Sequence, residues 1–173
     1  YECSSFRQTT LVSFIQMFKP NSVLDFSAGW GERLMSCIVS NIEYTGIDPN
    51  TNLFDGYNKM INLFATDKSK YTLINDSIEN VKLTNKYDMV FTSPPYFDLE
   101  IYSNNKKQSV SKYKTEKLWV NNFLKVAIKK SYDSLKTGGY MCININQKSK
   151  KETYIQEMLD FVYGFEDMYF YGV

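Results

Sequence analysis

Short apolar runs alternate along this chain with stretches of helical period. Residues 9–18 place Leu11, Val12, Phe14, Ile15 and Phe18 on one broad face. That predicts a helix capped by Thr9 or Thr10 and ended by Pro20 and Asn21. Residues 22–27 (SVLDFS) read as a short buried strand, 31–40 as a helix through Leu34, Cys37 and Ile38, and 43–48 as a second strand. The plainest helix carries Leu53, Phe54, Tyr57, Met60, Ile61 and Phe64 on one face. Further strands are predicted over 71–76 and 87–93. A long helix over about 115–135 holds Leu118, Trp119, Phe123, Ala127, Ile128 and Leu135, and Gly138-Gly139 is expected to stop it. A strand over 139–146, a helix over 152–162 and a strand over 165–173 complete the series.

A helix followed by strand–helix repeats with short connections predicts an α/β fold with a doubly wound, mostly parallel sheet and helices on both faces. A chain of 173 residues makes one domain over 1–173 the expectation. Residues 97–114 break the rhythm, and an irregular stretch of that length in a compact domain is functional or mobile. The chain opens on Tyr1 rather than Met, so a processed product or a piece of a longer protein is expected.

Composition narrows the chemistry. Lys+Arg is 20 and Asp+Glu 19, a net charge of +1, and histidine is absent. Without histidine there is no Ser-His-Asp triad, no Cys-His dyad and no imidazole metal site, and no metal is expected. The usual general base near pH 7 is missing too. Near-neutral charge argues against a strong non-specific polyanion binder but leaves room for a local basic patch. Cys3, Cys37 and Cys142 are scattered and odd in number, which fits a reducing, intracellular setting, cytoplasmic or nuclear. No apolar run reaches the length of a membrane span, and no membrane partner is expected.

In doubly wound sheets, ligands sit at the carboxyl ends of the strands where strand order reverses. The first strand ends in Asp25-Phe26-Ser27-Ala28-Gly29-Trp30-Gly31. Gly29 and Gly31 permit a tight turn and close approach of a ligand. Such a loop alone suits a dinucleotide, S-adenosyl-L-methionine or helix–sheet packing. Asp25 would repel a pyrophosphate, and Leu34 stands where the dinucleotide fingerprint has its third glycine. A sulfonium and an ammonium favour acidic surroundings instead. Asp48 ends the second strand and can accept from both ribose hydroxyls. Asp76 ends the third and can accept from an adenine amine, with Ser77 or a backbone amide donating to a ring nitrogen. Taken singly, each Asp could be only a cap. Three in register behind a glycine loop favour the ligand.

The most informative stretch is YDMVFTSPPYF, where an apolar strand runs into Ser93-Pro94-Pro95-Tyr96. An exocyclic amine on adenine or cytosine is a poor nucleophile because its lone pair is delocalised. Ser93 Oγ and the Pro94 carbonyl can accept its two hydrogens and localise that lone pair. Pro95 stiffens the turn, and Tyr96 offers a face for the base, which a duplex must first flip out. No strong base is needed, and proximity and orientation carry most of the rate.

These segments, VLDFSAGWGERL, YTGIDPN, YTLINDSIE and FTSPPYF in that order, resemble the motifs of class I S-adenosylmethionine-dependent methyltransferases. The nearest group is the adenine and cytosine amino-methyltransferases of nucleic acids, DNA methylases above all. The likeness runs from about Phe6 to about Asn146, and the SAGWG and SPPYF wording is closest to methylases of large viruses. It implies a Rossmann-like fold, S-adenosyl-L-methionine as cofactor, and DNA or RNA as partner, DNA before RNA. It also implies an Arg7 poised for the cofactor's carboxylate. Ser93 at the head of the motif leans toward cytosine. Phe97, Lys106, Lys107, Lys112 and Tyr113 follow the motif and are candidates for gripping nucleic acid, with Lys148, Lys150 and Lys151 a second basic cluster. No segment resembles a target-recognition domain, so a separate specificity domain or subunit is expected. A protein methyltransferase acting on a glutamine amide, or a non-catalytic scaffold subunit, are the alternatives.

Overall fold

The computed structural model describes residues 6–97, 109–146 and 153–172. α1 (Gln8–Phe18) has Arg7, not a threonine, at its cap position, and Thr9 and Thr10 lie inside its first turn. It ends on Lys19 in the left-handed conformation, ahead of Pro20. β1 (Ser22–Asp25), α2 (Glu32–Ser40) and β2 (Glu43–Ile47) follow. A 3₁₀ turn leads into α3 (Phe54–Phe64), then come β3 (Tyr71–Ile74) and β4 (Tyr87–Thr92). Beyond them lie α4 (Ser109–Lys112), α5 (Glu116–Trp119), a π-helical segment (Val120–Leu124), α6 (Lys125–Asp133), β5 (Leu135–Ile143) and α7 (Tyr154–Tyr163).

The strands form one five-stranded sheet, order β3-β2-β1-β4-β5, with every pair parallel. β1 has β2 on one side and β4 on the other, so chain order reverses between β1 and β4 and opens a crevice at the strands' carboxyl ends. The central strands β1, β2 and β4 are buried on both faces, and alternate residues enter two separate cores. Val23, Tyr44, Met89 and Phe91 pack against Leu11 and Ile15 of α1, Leu34, Cys37 and Ile38 of α2, and Tyr57 and Ile61 of α3. Leu24, Ile47 and Val90 pack against Trp119, Phe123, Leu124, Ala127 and Ile128, with Tyr154 and Met158 of α7. Helices on both faces of a parallel sheet match the expectation from periodicity.

Two further expectations are corrected. Gly138-Gly139 do not stop the long helix, which ends at Asp133; the chain is already in β5 by Leu135. The glycines lie inside that strand, at the register shift where Tyr87 pairs Leu135 but Met89 pairs Tyr140. A Cβ on Gly139 would lie 2.9 Å from the Lys136 carbonyl and 3.0 Å from the Asp88 carbonyl, so the bulged backbone and its close approach to β4 together require glycine there. Secondly, residues 165–172 form no strand. Phe165 stacks on Tyr132 at 4.2 Å and Tyr132 donates to Asp167 at 2.6 Å, while Tyr169, Phe170 and Tyr171 are exposed.

Gly46 faces Asp25 in the β1–β2 register. A Cβ there would lie 2.6 Å from the ring of Tyr44, which is fully buried and has no room to swing. Gly46→Ala is expected to destabilise the fold by about 1–3 kcal/mol through overpacking. Urea unfolding checks this, and an unchanged midpoint would mean that the ring can move.

Candidate active site

The loop from β1 to α2 is fixed before any ligand arrives. Asp25 is wholly buried, and each of its oxygens accepts two hydrogen bonds. Oδ1 accepts from the Ser27 amide (3.2 Å) and the Thr92 hydroxyl (2.9 Å). Oδ2 accepts from Arg33 Nε (2.6 Å) and the Tyr44 hydroxyl (2.9 Å). Burial opposes the charge on Arg33, but Asp25 outweighs it and raises the guanidinium's pKa. Burial and then Asp25 push the Tyr44 phenol well up, so it stays a neutral donor. Arg33 also donates to the Ser27 carbonyl and lies over the Phe6 ring at 5.2 Å.

Further along the loop, Gly29 (φ 58°) donates to Asp48 Oδ2 at 3.0 Å and accepts from the Tyr57 hydroxyl. Gly31 (φ 90°) is where α2 meets α3, for a Cβ there would lie 3.0 Å from Met60 Sδ. The Asp48 carboxylate is mostly buried and accepts from the Asn50 amide at 2.8 Å. Burial raises its pKa, opposed by these backbone hydrogen bonds. A carboxylate has about four acceptor sites, so Asp48 keeps capacity for hydroxyl donors.

A cleft of about 1650 Å³ runs from this loop past the ends of β1, β4 and β5 and along β5 to α7. Arg7, Ser27, Gly29, Asp48, Ser77, Ser93, Pro95 and Tyr96 line it. Asp25, Gly31, Asp76 and Pro94 do not. The expected contact of Asp25 with a cationic cofactor is corrected, because its charge is neutralised internally by Arg33. Gly31 is buried under α3. Asp76 Oδ1 caps the following turn, accepting from the Ser77 amide (2.8 Å) and Asn80 Nδ2 (3.0 Å). Ser93 Oγ lies 3.1 Å from the Tyr96 hydroxyl.

The substrate candidates fare differently. Phe97 has a left-handed backbone (φ 39°) and its ring lies 5.8 Å from Trp119, packed toward the core and not into the cleft. Lys112 and the Tyr113 hydroxyl both meet Glu79 Oε1 at 3.2 Å, on the turn after β3, and neither lines the cleft. Lys130 fastens that same turn through the carbonyls of Ile78, Glu79 and Val81. Lys106, Lys107, Lys148, Lys150 and Lys151 lie outside the described residues. Among those described, no helix is long and apolar enough to cross a membrane.

The sequence reading passed over Asn144 and Trp30. Asn144 stands just past β5, and its amide nitrogen is 3.4 Å from both Ser93 Oγ and the Tyr96 hydroxyl. The available signal was the one that marks Asp48, a polar residue directly after an apolar strand. Trp30 is exposed at the cleft between the two loop glycines.

No protein-family model matches the chain, and no curated protein does. Solved structures share its fold. An rRNA methylase from Streptococcus thermophilus superposes with a TM-score of 0.62 at 15% identity, over 95% of this chain and 84% of that one. The glycopeptide N-methyltransferase MtfA complexed with (S)-adenosyl-L-methionine gives 0.56 at 14%, over 82% and 51%. The CcbJ methyltransferase from Streptomyces caelestis gives 0.57 at 11%, over 79% and 47%. The chain thus spans about half the length of MtfA and CcbJ. The five-stranded parallel sheet with its flanking helices is the Rossmann-like fold of class I methyltransferases.

Breaking a buried pair leaves an uncompensated charge. Arg33→Met and Asp25→Asn are each expected to cost about 3–5 kcal/mol, and the double variant less than their sum. Urea unfolding of the four proteins gives the coupling, and strict additivity would refute it.

Proposed function

We propose that this chain is an S-adenosyl-L-methionine-dependent amino-methyltransferase whose acceptor is the exocyclic amine of adenine or cytosine in nucleic acid. One observation carries the reading. The Ser93–Tyr96 turn at the end of β4 lies across the strand-order reversal from the glycine loop, on the wall of the same cleft.

The residues present fit the cofactor. Asp48 has acceptor capacity for ribose hydroxyls, Ser77 has its hydroxyl at the neighbouring strand end, and Arg7 supplies a cation for a carboxylate. When bound, S-adenosyl-L-methionine supplies an electrophilic methyl group on a sulfonium. The protein's own task is then to orient the amine. Ser93 Oγ accepts one amine hydrogen, which draws the nitrogen toward tetrahedral geometry; the Pro94 carbonyl expected to take the other belongs to a buried residue outside the cleft lining. The Tyr96 ring stacks on the base and holds it in plane. None of these roles needs an imidazole. The rRNA methylase among the structural neighbours puts RNA beside DNA as a substrate to be assayed.

Incubation with methyl-labelled cofactor and DNA, RNA or protein, followed by digestion, identifies the acceptor. Label in adenine or cytosine is the expected result. Label in protein alone would refute the proposal in favour of a glutamine-amide substrate, and no calorimetric binding of S-adenosyl-L-methionine would favour a scaffold. Two variants separate the halves of the site. Asp48→Ala is expected to weaken cofactor binding about 10- to 100-fold, the range for lost hydrogen bonds to a charged acceptor. Tyr96→Ala should leave that binding unchanged and lower kcat/KM by about 10- to 100-fold through lost stacking.

A further inference from the structure

The atoms Ser93 Oγ, Tyr96 Oη and Asn144 Nδ2 form a closed triangle with sides of 3.1, 3.4 and 3.4 Å. Two members come from the turn after β4 and the third from the residue after β5. The Asn144 backbone amide donates to the Thr92 carbonyl at 2.9 Å, which fixes its Cα beside Ser93. Its side chain is the loosest member. It is exposed, it lines the cleft, and both of its contacts are at the long end of hydrogen bonding. The amide can therefore turn toward a ligand without breaking the scaffold.

The chemistry of the triangle is lopsided. Ser93 can accept, and the Asn144 NH₂ group only donates. A donor beside an acceptor matches one feature of adenine and cytosine: the target amine is always flanked by a ring nitrogen bearing a lone pair. A glutamine amide offers a carbonyl oxygen at that place, so the ring-nitrogen contact is read by atom replacement in the base. We infer that Asn144 is a positioning and specificity residue, donating through Nδ2 to the ring nitrogen next to the amine that Ser93 receives. This rests on the proposed amino-methyltransferase activity. It adds a role at the end of β5 that the Ser-Pro-Pro-Tyr turn does not supply. The hydrogen bond fixes the rotation of the base about its stacking axis, which Tyr96 alone leaves free.

Atom replacement tests this on the full chain. Single-stranded oligodeoxynucleotides carry adenine or cytosine as acceptor, matched with 1-deazaadenine or 3-deazacytosine, and 7-deazaadenine is the control that keeps the adjacent nitrogen. The wild type is expected to lose about tenfold in kcat/KM on the analogue missing the contacted nitrogen, as for one hydrogen bond. Asn144→Ala should lose about tenfold on the normal base and nothing more on the analogue. Its cofactor binding by calorimetry should match wild type. A deaza penalty of equal size in wild type and variant would overturn the inference. So would wild-type activity that Asn144→Ala leaves intact. Those two results spare the proposed function, whereas a wild type silent on every nucleic acid would remove both.

Discussion

The buried pair of Asp25 and Arg33 is the interaction on which the rest depends. An isolated carboxylate in this position would be several kcal/mol out of reach. Asp25 is held there by four donors, drawn from the loop, α2, β2 and β4. Each donor fixes a different part of the crevice. Tyr44 and Thr92 hold the strands on either side of β1, Arg33 holds the start of α2, and the Ser27 amide begins the turn. Through the Ser27 carbonyl and the Phe6 ring, Arg33 extends the same order to the loop and to the approach of α1. The shape of the ligand wall is thus set by a carboxylate that does not face it.

That arrangement explains what could be read from the residues alone. The helices over 8–18, 32–40 and 54–64 declare themselves by apolar spacing, and β1 to β4 by short apolar runs. Burial on both faces gives β1, β2 and β4 their continuity, whereas β3 at the edge is buried only at Tyr71. The placement of Ser93 opposite the glycine loop followed from topology, since β4 must return beside β1 once β2 and β3 occupy the other side. Direction was not legible. Asp25, Asp48 and Asp76 look alike in the chain, yet one is buried against a cation, one lines the cleft and one caps a turn. The cation for Asp25 lies eight residues away on a helix, and nothing in the spacing says that Arg33 turns inward. Gly138-Gly139 misled for a related reason, because a glycine pair after a helix signals a cap as readily as a strand irregularity. The apolar run of 165–172 imitates a strand, but what the segment makes are ring contacts, Phe165 with Tyr132, Phe170 with Tyr163 and Tyr171 with Tyr140.

The described residues that follow the Ser93–Tyr96 turn show how local pairing overrides composition. Lys112 and Tyr113 are drawn to Glu79, and Lys130 clamps the carbonyls of the same turn. Their effect is on the loop that carries Ser77. Among the described residues, the second oxygen of Glu79 is buried without a hydrogen-bond partner.

The pairing of β1 with β4 has a consequence for how the chain is made. Residues 22–25 and 87–92 are separated by the whole β2–α3–β3 segment, and β5 then adds outside β4. Closing such a long loop is slow relative to forming the local helices. On a ribosome releasing the chain from its amino terminus, Asp25 therefore waits for Thr92. The crevice has no far wall until β4 docks, so a small molecule that binds across it recognises only the completed sheet. Binding then draws the population toward the finished sheet by mass action.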